Sequence, residues 1–271
     1  MKEQKNKMAT NKKTIDMYDG SKITFYPDSH RYKKEGDTKY MLSPSAITGL
    51  IDKSTALLIW NDGLIRSYFM SNIEENKNYL SEEIKEKLEQ ALQQRTVKVE
   101  EAKTFGSMVH DYAESYAHAK VFGGDMPVVP EDAPKEVLNG ISAFLDWNDA
   151  HKVEYIDTER MVYSSDHQFV GHFDVLAMVD GKLTLIDYKT SKRVYTSQQY
   201  QLCAYKLAYE EEAKFKGKFE NLDLMILDFN KETGELIEFP ISQEDYEKNV
   251  PAFLGLLACK KREKELSTWG D

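Results

Sequence analysis

Apolar residues fall in short, strand-like bursts through the second half of the chain and at helical spacing through much of the first. From Phe169 to Thr190, FVGHFDVLAMV and KLTLIDYKT are two such bursts, separated only by Asp180-Gly181. That dipeptide favours a two-residue hairpin turn of type I′. A further strand is predicted near Tyr155–Ser164. After the hairpin the pattern predicts a helix over about Ser197–Lys214. LDLMILDF and ELIEFPIS follow as two strands turned at Thr233-Gly234, and then a helix over about Gln243–Leu266. Upstream, Phe105, Met108, Val109, Tyr112 and Tyr116 recur every three or four residues and predict a helix over about Val99–Lys120. Another is predicted over about Lys135–Ala150, behind the loop GGDMPVVPEDAP.

The first third is less regular. Residues 22–42 read as short strands around turns, with Glu35-Gly36-Asp37 as a bend. Ser43 or Ser45 suits a helix N-cap, and a helix is expected through Trp60 and Phe69. The polar stretch 72–98 is helix-prone and is expected to form an arm or a surface bracket before the helix at Val99. Residues 1–20 are expected to be a disordered basic lead and 21–271 a single domain, with 43–98 a helical arch or wall. This order of elements predicts an α/β fold, a mixed sheet sandwiched by helices.

Composition narrows the function. At 271 residues with 41% hydrophobic residues, the chain can bury a sizeable core. No stretch approaches the roughly 20 apolar residues of a membrane span, and no apolar segment follows the basic lead. Two cysteines, Cys203 and Cys259, are too few for a disulfide framework, so a cytoplasmic setting is expected. The net charge of −10 argues against broad attraction to nucleic acid, although KTSKR after the hairpin is locally basic.

The hairpin carries the candidate chemistry. With a two-residue turn, Val179 faces Lys182, and the same register brings Asp174 opposite Asp187. Lys189, two residues on, projects from the same side as Asp187. Like charges opposed in a sheet repel, so two carboxylates on an apolar hairpin call for a cation. Carboxylates and a backbone carbonyl, here that of Tyr188, are hard ligands suited to Mg²⁺ or Mn²⁺. The Lys189 ammonium could then orient a water or stabilise a charged transition state. His110 and Glu114 share a helix face at i, i+4. They could add a nitrogen ligand and its supporting carboxylate, although on spacing alone a solvated histidine is the commoner reading. Gln198, Gln201 and Tyr205 lie on the helix after the hairpin and could hydrogen-bond a phosphate; a Tyr205 partly in the core is as good a reading. Tyr188, Tyr195 and Tyr200 are aromatic residues near enough to stack on bases.

Taken together, FGSMVHDYAESY, GHFD, IDYK and QLCAY resemble the motifs of the PD-(D/E)XK nuclease superfamily, in its RecB-like exonuclease branch. Gly106, His110 and Glu114 match G-x-x-x-H-x-x-x-E; Gly171 and Asp174 match G-x-x-D. Asp187 and Lys189 match D/E-x-K, and Gln201 and Tyr205 match Q-x-x-x-Y. The opening HRYKKEGDTKYMLSPSAITGLI also resembles phage-type and mitochondrial single-strand exonucleases of this branch. The resemblance implies a restriction-endonuclease-like core with an N-terminal helical and hairpin elaboration. It implies Asp174, Asp187 and His110 as ligands of one or two Mg²⁺ or Mn²⁺ ions and Lys189 as the partner of the attacking water. It further implies Gln201 and Tyr205 as strand-positioning residues, and Glu159 as an additional acid. Lys192, Arg193 and Gln198 are expected to bind the phosphate backbone. The implied partner is DNA, in recombination, repair or phage DNA processing, with a single-strand annealing or recombination protein as companion. Some relatives hold an iron–sulfur cluster on four cysteines; with two, this chain is not expected to. Two rivals remain on the sequence: an endonuclease with the same site, and a catalytically silent DNA-binding module on the same fold. RNA as substrate, the polarity of digestion and the oligomeric state are left open.

Overall fold

The computed structural model describes residues 12–218, 221–230 and 233–267. Its centre is a five-stranded mixed sheet in the order β4-β5-β6-β7-β8, formed by Val153–Ser164, Phe169–Val179, Lys182–Lys189, Asp223–Phe229 and Leu236–Ile241. Only β6 and β7 run parallel, and helix α5 (Thr196–Phe215) connects them. Neighbouring pairs elsewhere in this sheet are antiparallel. Helices α1 (Pro44–Thr48), α5 and α6 (Gln243–Leu266) cover one face, over Phe173, Leu185 and Leu224. Helix α3 (Ser81–Phe122) and α4 (Lys135–Ala150) cover the other, over Val175, Ile186 and Phe229. Burial from both sides explains why β5 reads as a nearly unbroken apolar run.

The hairpin turn matches its sequence: Asp180 and Gly181 take φ of 50° and 81°, the left-handed pair that a type I′ turn needs. Strands β5 and β6 pair from Val179–Lys182 through Val175–Ile186, in the expected register. That ladder ends one step short of Asp174 and Asp187. The alternation of faces also changes phase there. Phe169 and Phe173 pack towards α5 and α6, and beyond Asp174 it is Leu176, not Val175, that does so. On the neighbouring strand Glu159 adopts a left-handed φ of 48°, unusual for a residue with a side chain. The sheet therefore bends at the acidic residues.

Three expectations are corrected. The helices expected over 72–98 and 99–120 are one 42-residue helix, α3. No glycine or proline interrupts it between Ser81 and Phe105, and the Glu83 carboxylate caps its start by accepting from Leu80 N–H at 2.7 Å. Within the expected disordered lead, Lys13–Asp16 form strand β1, which joins β2 (Lys22–Tyr26) and β3 (Arg31–Lys34) in a small antiparallel sheet. Met17, Ile23 and Tyr32 bury that sheet against Met161, Tyr163 and Val170; residues 1–11 of the lead lie outside the described residues. Finally, not all of 43–98 stands apart. Ser43 caps α1, accepting from Ala46 N–H, and Ile47 is buried in the main core. What does project is α2 (Ser54–Ser71), none of whose residues is buried, with the first half of α3, where only Ala91 is.

Candidate active site

The acidic residues gather where β5 and β6 part. Asp174 is nearly enclosed; its Oδ2 accepts from Tyr188 N–H at 2.6 Å and lies 3.4 Å from His110 Nε2. Its carbonyl accepts from Thr158 Oγ1 at 2.8 Å, fixing the bend to β4. Helix α3 brings His110 in from its side of the sheet, and Glu114, one turn on, lies 3.5 Å from His110 Nδ1. Asp187 is fully buried, and its Oδ2 is 2.5 Å from Lys189 Nζ. Even so, neither oxygen of Asp187 is in an aligned hydrogen bond. Buried carboxylate oxygens are rarely left in that state.

The electrostatics follow from this crowding. Burial opposes ionisation of Asp174, but its hydrogen bond with His110 and the charge of Lys189 hold it below the usual carboxylate range. Burial pushes Asp187 up to about 6, against the pull of Lys189 and with repulsion from Asp174. For His110, burial disfavours the proton, yet the Asp174 and Glu114 carboxylates raise it to about 10. Lys189 likewise pays for burial but is held charged by Asp187 and Asp174. Glu159 is exposed as a residue, yet its carboxyl is desolvated against the cluster. That desolvation, then Asp174 and Glu114, pushes it up to about 8. Four carboxyl groups thus converge on one histidine and one lysine.

Two glycines permit the assembly. A Cβ on Gly171 would lie 2.7 Å from Tyr205 Cε1 and 3.0 Å from Pro44 Cδ, so the absent side chain lets α5 seat Tyr205 against β5. A Cβ on Gly106 would lie 2.7 Å from Thr190 Oγ1, so α3 can approach the end of β6 with His110 one turn away. Tyr205 is buried, and its hydroxyl accepts from Gln201 Nε2 at 2.7 Å.

The other expected residues divide. Lys192 and Arg193 are exposed in the loop after β6, with the Arg193 guanidinium 5.3 Å from the Tyr195 ring centre. Gln198 does not face outward. Its Oε1 accepts from Tyr195 N–H at 2.7 Å and its Nε2 reaches Ser191 Oγ at 3.4 Å, so it frames the loop and the start of α5. The Tyr188 side chain cannot stack on a base, because it is buried beside Phe144 and Phe229 beneath α4. His172 is paired instead with the N-terminal sheet, its Nδ1 2.8 Å from Tyr32 OH. Asp228 went unread in the sequence. The parallel register sets it beside Lys189, and its Oδ1 accepts from both Ser191 N–H (2.9 Å) and Ser191 Oγ (2.8 Å). Only the β6–β7 pairing, which no local pattern announces, would have exposed it.

The donor set fits a hard divalent cation: carboxylate oxygens and one imidazole, with Asp187 buried beside Lys189 but in no aligned hydrogen bond. On the α3 side, single ligand atoms of His110, Asp111 and Glu114 also lie within 4.8 Å of one another.

Residues 137–263, from α4 into α6, match the sequence profile of the PD-(D/E)XK nuclease superfamily. Over that segment, just under half of the chain, the sequence is similar to the PD-(D/E)XK nuclease superfamily. The mixed sheet between helices is consistent with the restriction-endonuclease-like core of that superfamily, whose members typically use divalent ions. His110 and Glu114 lie upstream of the matched span, and their membership of the site rests on the distances above. No curated protein matches the chain. Among the described residues no helix is long and apolar enough to cross a membrane.

Proposed function

We propose that the chain is a metal-dependent DNA nuclease of the RecB-like branch that digests DNA from a free end, in recombination, repair or phage DNA processing. The observation that carries this reading is Asp187, fully buried with no aligned hydrogen bond to either oxygen, beside Asp174, His110 and Lys189. Asp174, Asp187 and His110, with the Tyr188 carbonyl, would hold Mg²⁺ or Mn²⁺. When bound, such an ion supplies Lewis-acid stabilisation of the phosphate and a more acidic water. Lys189, kept charged by its two acidic neighbours, orients the attacking water and faces the negative charge that grows as the phosphodiester breaks. Gln201 and Tyr205 hold the strand from the α5 side, while Lys192 and Arg193 draw phosphate to the mouth of the site. Glu114 steadies the His110 ring, and Glu159 adds a carboxyl that can take or release a proton near neutrality. The projecting α2 and first half of α3 support a wall beside the cleft, which suits a threaded end. A single-strand annealing or recombination protein would be the natural companion of that activity.

The test is digestion of 5′- and 3′-labelled linear DNA and of covalently closed circles, with Mg²⁺, with Mn²⁺ and with EDTA. Degradation of linear DNA, intact circles and silence in EDTA are expected. Opening of closed circles would transfer the site to an endonuclease. Activity indifferent to EDTA, or to Lys189→Ala, would overturn the catalytic reading altogether.

A further inference from the structure

The chemistry above leaves one neighbouring surface unused. Where β3, the segment from Lys39 to Ala46 and the end of α6 meet, they enclose a groove of about 470 Å³. Arg31, Lys39 and Lys264 line it with Tyr32 and Tyr40, and no aspartate or glutamate does. In a chain with 46 acidic and 36 basic residues, an acid-free wall with three cations is a local reversal of the field. Among the described residues, Arg31 and Lys39 are in no ion pair, so their charge is available to a ligand.

The aromatic part of the wall is fixed in place. The Arg31 guanidinium lies 5.2 Å from the Tyr40 ring centre, and Tyr26 meets the same ring edge-on at 5.9 Å. Lys264 Nζ donates to the Tyr40 carbonyl at 2.7 Å, tying the end of α6 to this segment. Tyr40 nonetheless stays 40% exposed. A held, exposed ring beside cations that have no carboxylate partner is a combination that suits unpaired bases and their phosphates. The groove also leads to the cleft. Tyr32 on its floor touches His172, two residues before Asp174, and Pro44 next to it meets Tyr205 over Gly171.

We propose that this groove is the path of a single-stranded nucleic acid to the cleft, with phosphates on Arg31 and Lys39 and a base stacked on Tyr40. A duplex would offer it phosphates but no free base face, which is why the commitment is to a single strand. The proposal rests on the nuclease reading above and names the form of the substrate that reaches that site.

The experiment measures binding of a fluorescent 20-nucleotide DNA, single-stranded or as a duplex, to the full chain in EDTA across a salt series. Arg31→Gln with Lys39→Gln should weaken single-strand binding and flatten the salt slope by about 1.4, roughly 0.7 for each phosphate contact removed. Tyr40→Leu should raise the single-strand Kd on the order of tenfold, with little effect on the duplex. Lys182→Gln, at the far hairpin turn, is the control for a general change of charge. If Tyr40→Leu compromises folding, the paired exposed cations still decide the matter through the slope. Single-strand binding unchanged in the Arg31 and Lys39 variant, while the wild type cleaves DNA, would overturn the groove and leave the nuclease reading intact. Loss confined to the duplex would overturn it as well. A wild type that neither binds nor cleaves nucleic acid would bring down the nuclease reading beneath it.

Discussion

Gly171→Ala probes how the site is assembled, because one added methyl group meets the Tyr205 ring most closely and Pro44 next. Within a strand, replacing glycine by alanine ordinarily stabilises by about 0.5–1 kcal/mol, since glycine loses the most backbone freedom on folding. Here the new Cβ would sit 2.7 Å from Tyr205 Cε1 and 3.0 Å from Pro44 Cδ. Carbon atoms settle at about 3.5–4.0 Å, so the Tyr205 ring must recede by roughly 1 Å or β5 must bend. Overpacking of that kind costs about 1–3 kcal/mol. With the backbone gain subtracted, a net loss of up to about 2.5 kcal/mol is expected, a fall in Tm of up to roughly 10 °C. The receding ring also draws the Tyr205 hydroxyl from its 2.7 Å contact with Gln201, so cleavage should fall with stability. The assay is a double-mutant cycle with Tyr205→Leu, read by urea unfolding. Removing the ring should relieve most of the cost of Gly171→Ala, giving a coupling of at least about 1 kcal/mol. Equal destabilisation by Gly171→Ala in the presence and absence of the ring would refute the argument.

Two further outcomes are expected. His110, raised to about 10, gives stability that is complete below the unfolded value near 6.5 and is lost as pH rises through 10. An ion that takes His110 as ligand must displace that proton. Mn²⁺ binding at pH 7 should therefore release about one proton and tighten as pH rises, checked by titration calorimetry in two buffers of different ionisation enthalpy; zero release would remove His110 from the ligand set. Asp228→Ala strips the acceptor from two Ser191 donors and should cost about 1.5–3 kcal/mol in urea unfolding, whereas an unchanged midpoint would show that the loop does not depend on it.

The hairpin was legible because everything it needs is local: alternating apolar residues, a turn dipeptide with two left-handed positions, and a register that follows by counting. Helices α4 and α6 were readable on the same terms. What escaped depends on pairings between distant segments. The sequence gives β1 four residues of weak pattern, KTID, and only its backbone partner β2 makes it a strand. Val99 looked like a helix start because apolar spacing begins there, yet the polar residues before it are good helix formers with no breaker among them. Counting predicted that Asp174 faces Asp187, but not that the strands part there. The glycine motifs were visible as letters; their reason, the approach of Tyr205 and Thr190, appears only when α5 and α3 are in place.

Helix α3 has a mechanical consequence. Its 42 residues make a rod about 63 Å long, and Ser81 stands roughly 44 Å along the axis from His110. One end is anchored in the core over Val109, Ala113 and Ala117, while the other packs against α2 outside it. The histidine thus rides near the fulcrum of a lever. Anything that bound the distant tip would act through continuous helix on His110, whose Nε2 is 3.4 Å from Asp174 Oδ2.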